Sequence, residues 1–142
     1  MITLSENSLL QSSFALASNG RTEPSRPELV IADGHASEIH SLVHGVGLPL
    51  ITLGFSKDPV RDMSLALAGE ALDMLHIVAH GQRERFSLGG VWVDAAALRA
   101  QSTLVAGWQV QKIVLWSCEV GADSELVSTL RSLTGAQVFA SD

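Results

Sequence analysis

Two short apolar runs, each closing on a chemically reactive residue, constrain this chain more than any other feature. The first, Asp73–Gly81, reads Asp-Met-Leu-His-Ile-Val-Ala-His-Gly, and the second, Lys112–Glu119, reads Lys-Ile-Val-Leu-Trp-Ser-Cys-Glu. Both are nearly continuous in apolar character and rich in β-branched residues, the pattern of strands buried on both faces of a parallel sheet. The segment between them is long enough for the crossover that parallel strands require. As sheet neighbours they would end on one edge, about 5 Å apart. That arrangement brings His80 and Cys118 to a single crevice, where open α/β sheets hold their ligands.

The remaining elements alternate in type. Leu29–Ala32 reads as a strand ended by Asp33-Gly34, and Pro49–Phe55 as another. Between them Ile39, Leu42 and Val43 give Ser37–His44 a helical spacing, stopped by Gly45 and Gly47. Asp58 caps a helix with Pro59 at its first position, running to about Gly69. Asp94 caps a third helix over Ala95–Val105, a fourth covers Asp123–Leu133, and Gln137–Ala140 is a last strand. Phe86–Leu88 and Val91–Val93, joined by Gly89-Gly90, form a hairpin. The alternation predicts an α/β fold: a flavodoxin-like, mostly parallel sheet flanked by helices, with a small β-hairpin inserted after strand three. The hairpin directly follows the histidine, and its glycine tip predicts a mobile flap.

Residues 1–27 carry six serines and close on Pro24 and Pro27. They read as a leader or linker that adds little to the core, with the folded domain over 28–142. No basic residue precedes Arg21, so the segment lacks the charged start of a standard secretory signal. A cytoplasmic protein, or one exported by another route, shares that pattern.

Composition narrows the function classes. A hydrophobic content of 46% against 17% charged residues describes a globular chain. The net charge of −6 offers no basic stripe to neutralise phosphates, which argues against nucleic acid. No apolar run approaches the roughly 20 residues of a membrane span. The single cysteine excludes an internal disulfide and a Cys-rich zinc site. His40 and His44 stand one helical turn apart without a carboxylate or thiolate to complete a metal site. With no phosphate loop, dinucleotide fingerprint or Gly-x-Ser-x-Gly elbow, no cofactor is expected. Nothing in the pattern sets an oligomeric state.

What remains is thiol chemistry. A lone cysteine ending a buried strand is first of all a small core hydrophobe. Beside a histidine it becomes a candidate nucleophile, since a base lowers the barrier to thiolate formation. Cys118 stands where the strand turns toward the next helix, whose terminal amides would add to that effect. Gly81, lacking a side chain, lets a substrate carbonyl approach its N–H, and with the Cys118 N–H it makes a candidate oxyanion hole. His76 lies on the same strand face as His80 and reads as a satisfied core or edge histidine rather than a second base.

These motifs, Leu-His-Ile-Val-Ala-His-Gly and Ile-Val-Leu-Trp-Ser-Cys-Glu-Val-Gly-Ala, resemble those of the caspase-like (clan CD) cysteine peptidases, among them caspases, metacaspases, gingipains, clostripain, legumain and separase. Residues 28–142 also look like a domain of unknown function at the N-terminal end of very large bacterial adhesins with cadherin-like or calcium-binding repeats. The resemblance implies His80 as base, Cys118 as nucleophile, Gly81 as oxyanion donor and Ser117 as the small residue before the nucleophile. It implies a polypeptide substrate, the parent chain included, and a cell-surface setting for a piece of such an adhesin. Metacaspases hold an acidic residue two positions before the cysteine; here Trp116 stands there, an indole that either walls an apolar pocket or merely packs under the helix that follows Cys118, with Glu119 or Asp142 as the alternative acids. A module that keeps this fold without catalysis, serving assembly, export or adhesion, is the competing expectation.

Overall fold

The computed structural model describes residues 27–36, 39 and 47–141. The expected leader and most of the helix expected over Ser37–His44 lie outside them. Ile39, the one described residue of that helix, is helical and fully buried. Five strands form one parallel sheet: β1 (Glu28–Asp33), β2 (Leu50–Leu53), β3 (Ala71–Val78), β7 (Gln109–Trp116) and β8 (Gln137–Ala140). Their order is β2-β1-β3-β7-β8, so the chain reverses direction across the sheet between β1 and β3. This is a flavodoxin-like α/β architecture.

The apolar runs become strands because both of their faces are covered. Leu29, Ile31, Leu75, Ile77, Ile113, Leu115 and Val138 point into one cluster with Val60, Met63 and Leu67 of α1 (Pro59–Leu67), Leu98, and Leu126, Val127 and Leu130 of α4 (Glu125–Thr134). The alternate residues Val30, Ala32 and Val78 point the other way, onto Ile39 and Trp116. Burying aliphatic side chains stabilises by about 1.5–3 kcal/mol each, so a register slip in the central strands would expose two layers of core.

Helix ends follow the sequence signals closely. Asp58 accepts from the Arg61 N–H at 3.1 Å, and Pro59 opens α1. Asp94 accepts from the Ala97 N–H at 2.9 Å. The helix expected over Ala95–Val105 is two pieces, α2 (Ala95–Ala100) and α3 (Ser102–Ala106), broken at Gln101. The Gln101 amide donates to the Asp58 carboxylate at 2.7 Å, tying that break to the start of α1. No described helix is long and apolar enough to cross a membrane.

The hairpin is larger than expected and firmly packed. His80–Gln82 forms a strand, β4, that joins β5 (Arg85–Leu88) and β6 (Val91–Val93) in a three-stranded antiparallel sheet. Phe86, Leu88 and Val93 are all fully buried in the main core. The tip is fastened as well: the Gly89 N–H donates to buried Asp33 at 3.0 Å, and the Gly89 carbonyl accepts from the Ser56 N–H at 2.9 Å. The hairpin stands outside the five-stranded sheet, as expected, but its tip is anchored rather than loose. Glycine at the tip provides the φ of +63° and the clearance against Ser56 that the anchoring needs.

Candidate functional site

Strands β3 and β7 are central neighbours, in register from Ala71↔Gln109 to Val78↔Trp116. Two residues beyond that last pair stand His80 and Cys118. They therefore leave adjacent strands at the same level, on the C-terminal edge of the sheet. The Ala79 N–H still reaches the Trp116 carbonyl at 3.5 Å, one residue beyond the last ladder pair. His80 then enters the small sheet opposite Ser87, and Cys118 begins a turn. Both residues are half-buried.

Gly81 is where the two arms press together. A Cβ built on it would lie 2.3 Å from the Cys118 carbonyl oxygen, 2.9 Å from the Ser117 Cβ and 3.1 Å from the Cys118 nitrogen. No side chain fits there. The reason for glycine is close backbone approach rather than a left-handed φ. The arms stay joined one turn further on, where the Glu84 N–H donates to the Val120 carbonyl at 3.1 Å.

The Cys118 arm differs from expectation in one respect. Helix α4 starts only at Glu125, capped by the Ser124 hydroxyl on the Val127 N–H at 3.2 Å. The helix dipole acts within the first turn, so the intervening loop separates it from Cys118. The arm is held instead by hydrogen bonds to the end of β8: the Gly121 N–H donates to the Ser141 carbonyl at 3.1 Å, and the Ser141 hydroxyl to the Ser117 carbonyl at 3.3 Å.

Trp116 and Ser117 face opposite ways, as neighbours on a strand must. The indole packs with Val30, Ala32 and Val78, and its Nε1–H donates to His76 Nδ1 at 3.1 Å. The rings stack with centroids 6.4 Å apart. With Nδ1 accepting, the imidazole proton sits on Nε2, which donates to buried Glu28 at 3.0 Å. Burial pulls the His76 pKa below its ordinary value, and the hydrogen bond and charge of Glu28 pull weakly the other way. His76 is thus a neutral, satisfied core histidine. The hydrogen-bonded end of Trp116 is directed along the sheet face toward His76.

Glu119 lines a cavity of about 530 Å³ beside the arms, shared with Arg83, Glu84, Val120, Gly121, Asp123 and Ser124. Glu84 and Glu119 both adopt left-handed backbone conformations, with φ of 63° and 62°. Such positions are costly for residues with a side chain and collect at turns and functional sites. Asp142 lies outside the described residues. Among those residues no cluster of His, Cys, Asp and Glu is arranged to hold a metal ion.

Two features escaped the sequence. Asp33 reads as a turn residue, yet its buried carboxylate receives the His35 and Gly89 N–H groups, each at 3.0 Å. It fastens the small sheet to the end of β1, and only the tertiary pairing shows this. Glu28 opens the domain as an ordinary acid and is nevertheless the partner of His76; the buried His76 was the available clue that a carboxylate had to follow it inside.

Compared with known proteins, the chain matches the model of one family over residues 29–142, described as a domain of unknown function (DUF4347). No curated protein and no solved structure matches it.

Proposed function

This chain belongs to the DUF4347 family, and we propose that it is a cysteine endopeptidase of the caspase-like kind, with His80 as general base and Cys118 as nucleophile. The observation that carries this reading is the contact of Gly81 with the Cys118 peptide. It brings the Gly81 main chain against the Cys118 peptide, beside a histidine and a thiol that follow adjacent strands. In the proposed reaction His80 takes the thiol proton and the Cys118 sulfur attacks the scissile carbonyl carbon. The C–S bond forms, and the Gly81 and Cys118 N–H groups hold the developing oxyanion. The C–N bond then breaks, and the amine leaves with the proton from His80. Water, deprotonated by His80, hydrolyses the thioester and restores the thiol. A polypeptide substrate, self-processing of a large surface protein and an adhesin setting rest on the resemblance of the two motifs to caspase-like peptidases and to adhesin-borne domains.

Iodoacetamide labelling near neutral pH tests the reading. Cys118 should label at least about tenfold faster than a free thiol, and His80→Ala should bring it back to the free-thiol rate. Equal rates in the two proteins would leave the competing reading, a non-catalytic module for assembly, export or adhesion. Gly81→Ala should separate the arms, because its methyl group meets backbone rather than a movable side chain. Retained reactivity and unchanged stability in that variant would remove the observation on which the proposal stands.

A further inference from the structure

Ser117 carries a feature that the proposed chemistry does not yet use. Its residue is 2% exposed, and its Oγ is the only buried side-chain nitrogen or oxygen among the described residues without a hydrogen-bond partner. A buried hydroxyl is normally satisfied, and an orphan calls for an explanation. The position is informative: Ser117 directly precedes Cys118, and its Cβ is one of the three atoms nearest the Cβ that Gly81 cannot have. The main chain of Ser117 is fixed by the Ser141 hydroxyl, so the orphaned group sits on a rigid support. Alanine would fill the same space without the unpaired hydroxyl.

We infer that Ser117 is a positioning residue for acyl transfer: its hydroxyl engages the Gly81 peptide, directly or through one buried water, as that peptide's N–H takes up the developing oxyanion. The inference rests on the cysteine-peptidase reading above and adds a role to a residue that otherwise only needs to be small. The hydroxyl does not touch substrate. It acts through Gly81, holding the donor arm where charge appears.

Two probes separate this role from a structural one. Iodoacetamide reports on the thiolate alone, because its alkylation develops no oxyanion. p-Nitrophenyl acetate acylates the thiolate through a tetrahedral oxyanion: the C–S bond forms, the C–O bond breaks and p-nitrophenolate leaves with the electron pair. In the full chain, Ser117→Ala should slow the p-nitrophenyl acetate burst about tenfold, less than the roughly hundredfold loss of a direct oxyanion donor. Iodoacetamide labelling should stay within about twofold, and the melting temperature should hold or rise, since an unsatisfied buried hydroxyl is removed. A lowered melting temperature with both rates reduced would overturn the inference, as Ser117 would then be structural. An unchanged burst would also overturn it. If the wild-type burst survives Cys118→Ala or His80→Ala, the cysteine-peptidase reading itself fails and takes this inference with it. A burst that needs both residues but ignores Ser117→Ala removes this inference alone.

Discussion

His76 and His80 stand four residues apart on one segment of chain and meet opposite environments. His76 sits in the middle of β3, paired with Val30 on one side and Val114 on the other. It is buried, neutral and bonded at both ring nitrogens by Trp116 and Glu28. His80 comes after β3 has ended at Val78, with the chain turned into the small antiparallel sheet and the residue half-exposed. The residue type is the same; the length of the strand separates their roles. A histidine inside the ladder must be satisfied by the fold, whereas one just past its end stands at the edge of the sheet, half-exposed.

The largest expected difference between them is in reactivity. His80→Ala should lower acyl transfer by at least about 10²-fold, the usual contribution of a general base, while leaving the melting temperature within a few degrees. His76→Ala should do the reverse. It leaves Glu28 buried without its hydrogen-bond donor, which costs about 1–3 kcal/mol, or several degrees for a domain of this size. Calorimetry and burst kinetics on both variants check the contrast. It breaks if His80→Ala is the destabilising variant.

Next in size is a pH effect carried by His76. Its folded pKa lies below the ordinary 6.5 because burial disfavours the charged ring. Between that lowered value and 6.5 the unfolded chain binds more protons than the folded one, so stability rises with pH across the window and falls on acidification. One proton gives a slope of at most about 1.4 kcal/mol per pH unit. Denaturant midpoints measured at intervals from neutral pH downward should show the loss, and His76→Phe should remove it from this window. A persisting slope in that variant would assign the effect to another group.

The smallest effect sharpens the assignment of Trp116. Trp116→Phe removes the indole N–H from His76 Nδ1 and should cost about 1 kcal/mol, a few degrees in the melting temperature. Cys118 labelling and the ester burst should not change, because the hydrogen-bonded indole serves the His76 network. A clear shift in peptide cleavage preference with this variant would instead return the tryptophan to the substrate pocket.

Much of the fold is legible in local sequence. Runs such as Ile77–Ala79 and Ile113–Trp116 are apolar without alternation and have few alternatives to a two-sided parallel strand. Asp58-Pro59 and Asp94 mark helix starts through bonds made within one turn. Errors arise where a local signal meets a distant partner. Gly89-Gly90 suggests a loose tip, yet Asp33, far away in sequence, clamps it. Ala95–Val105 shows helical character throughout, yet the helix breaks at Gln101, whose amide meets Asp58 of another helix cap.

The same division holds for the candidate site. Strand endings are written in composition and spacing, so local sequence shows that His80 and Cys118 close two apolar runs and that glycine follows the histidine. The tertiary structure makes β3 and β7 neighbours in a register that levels those endings. It alone pressed Gly81 against the Cys118 peptide, turned Trp116 toward His76 and left the Ser117 hydroxyl unpaired. Periodicity reports which way a side chain faces along its own strand. What lies opposite that side chain depends on pairings between residues dozens of positions apart, and no local pattern contains them.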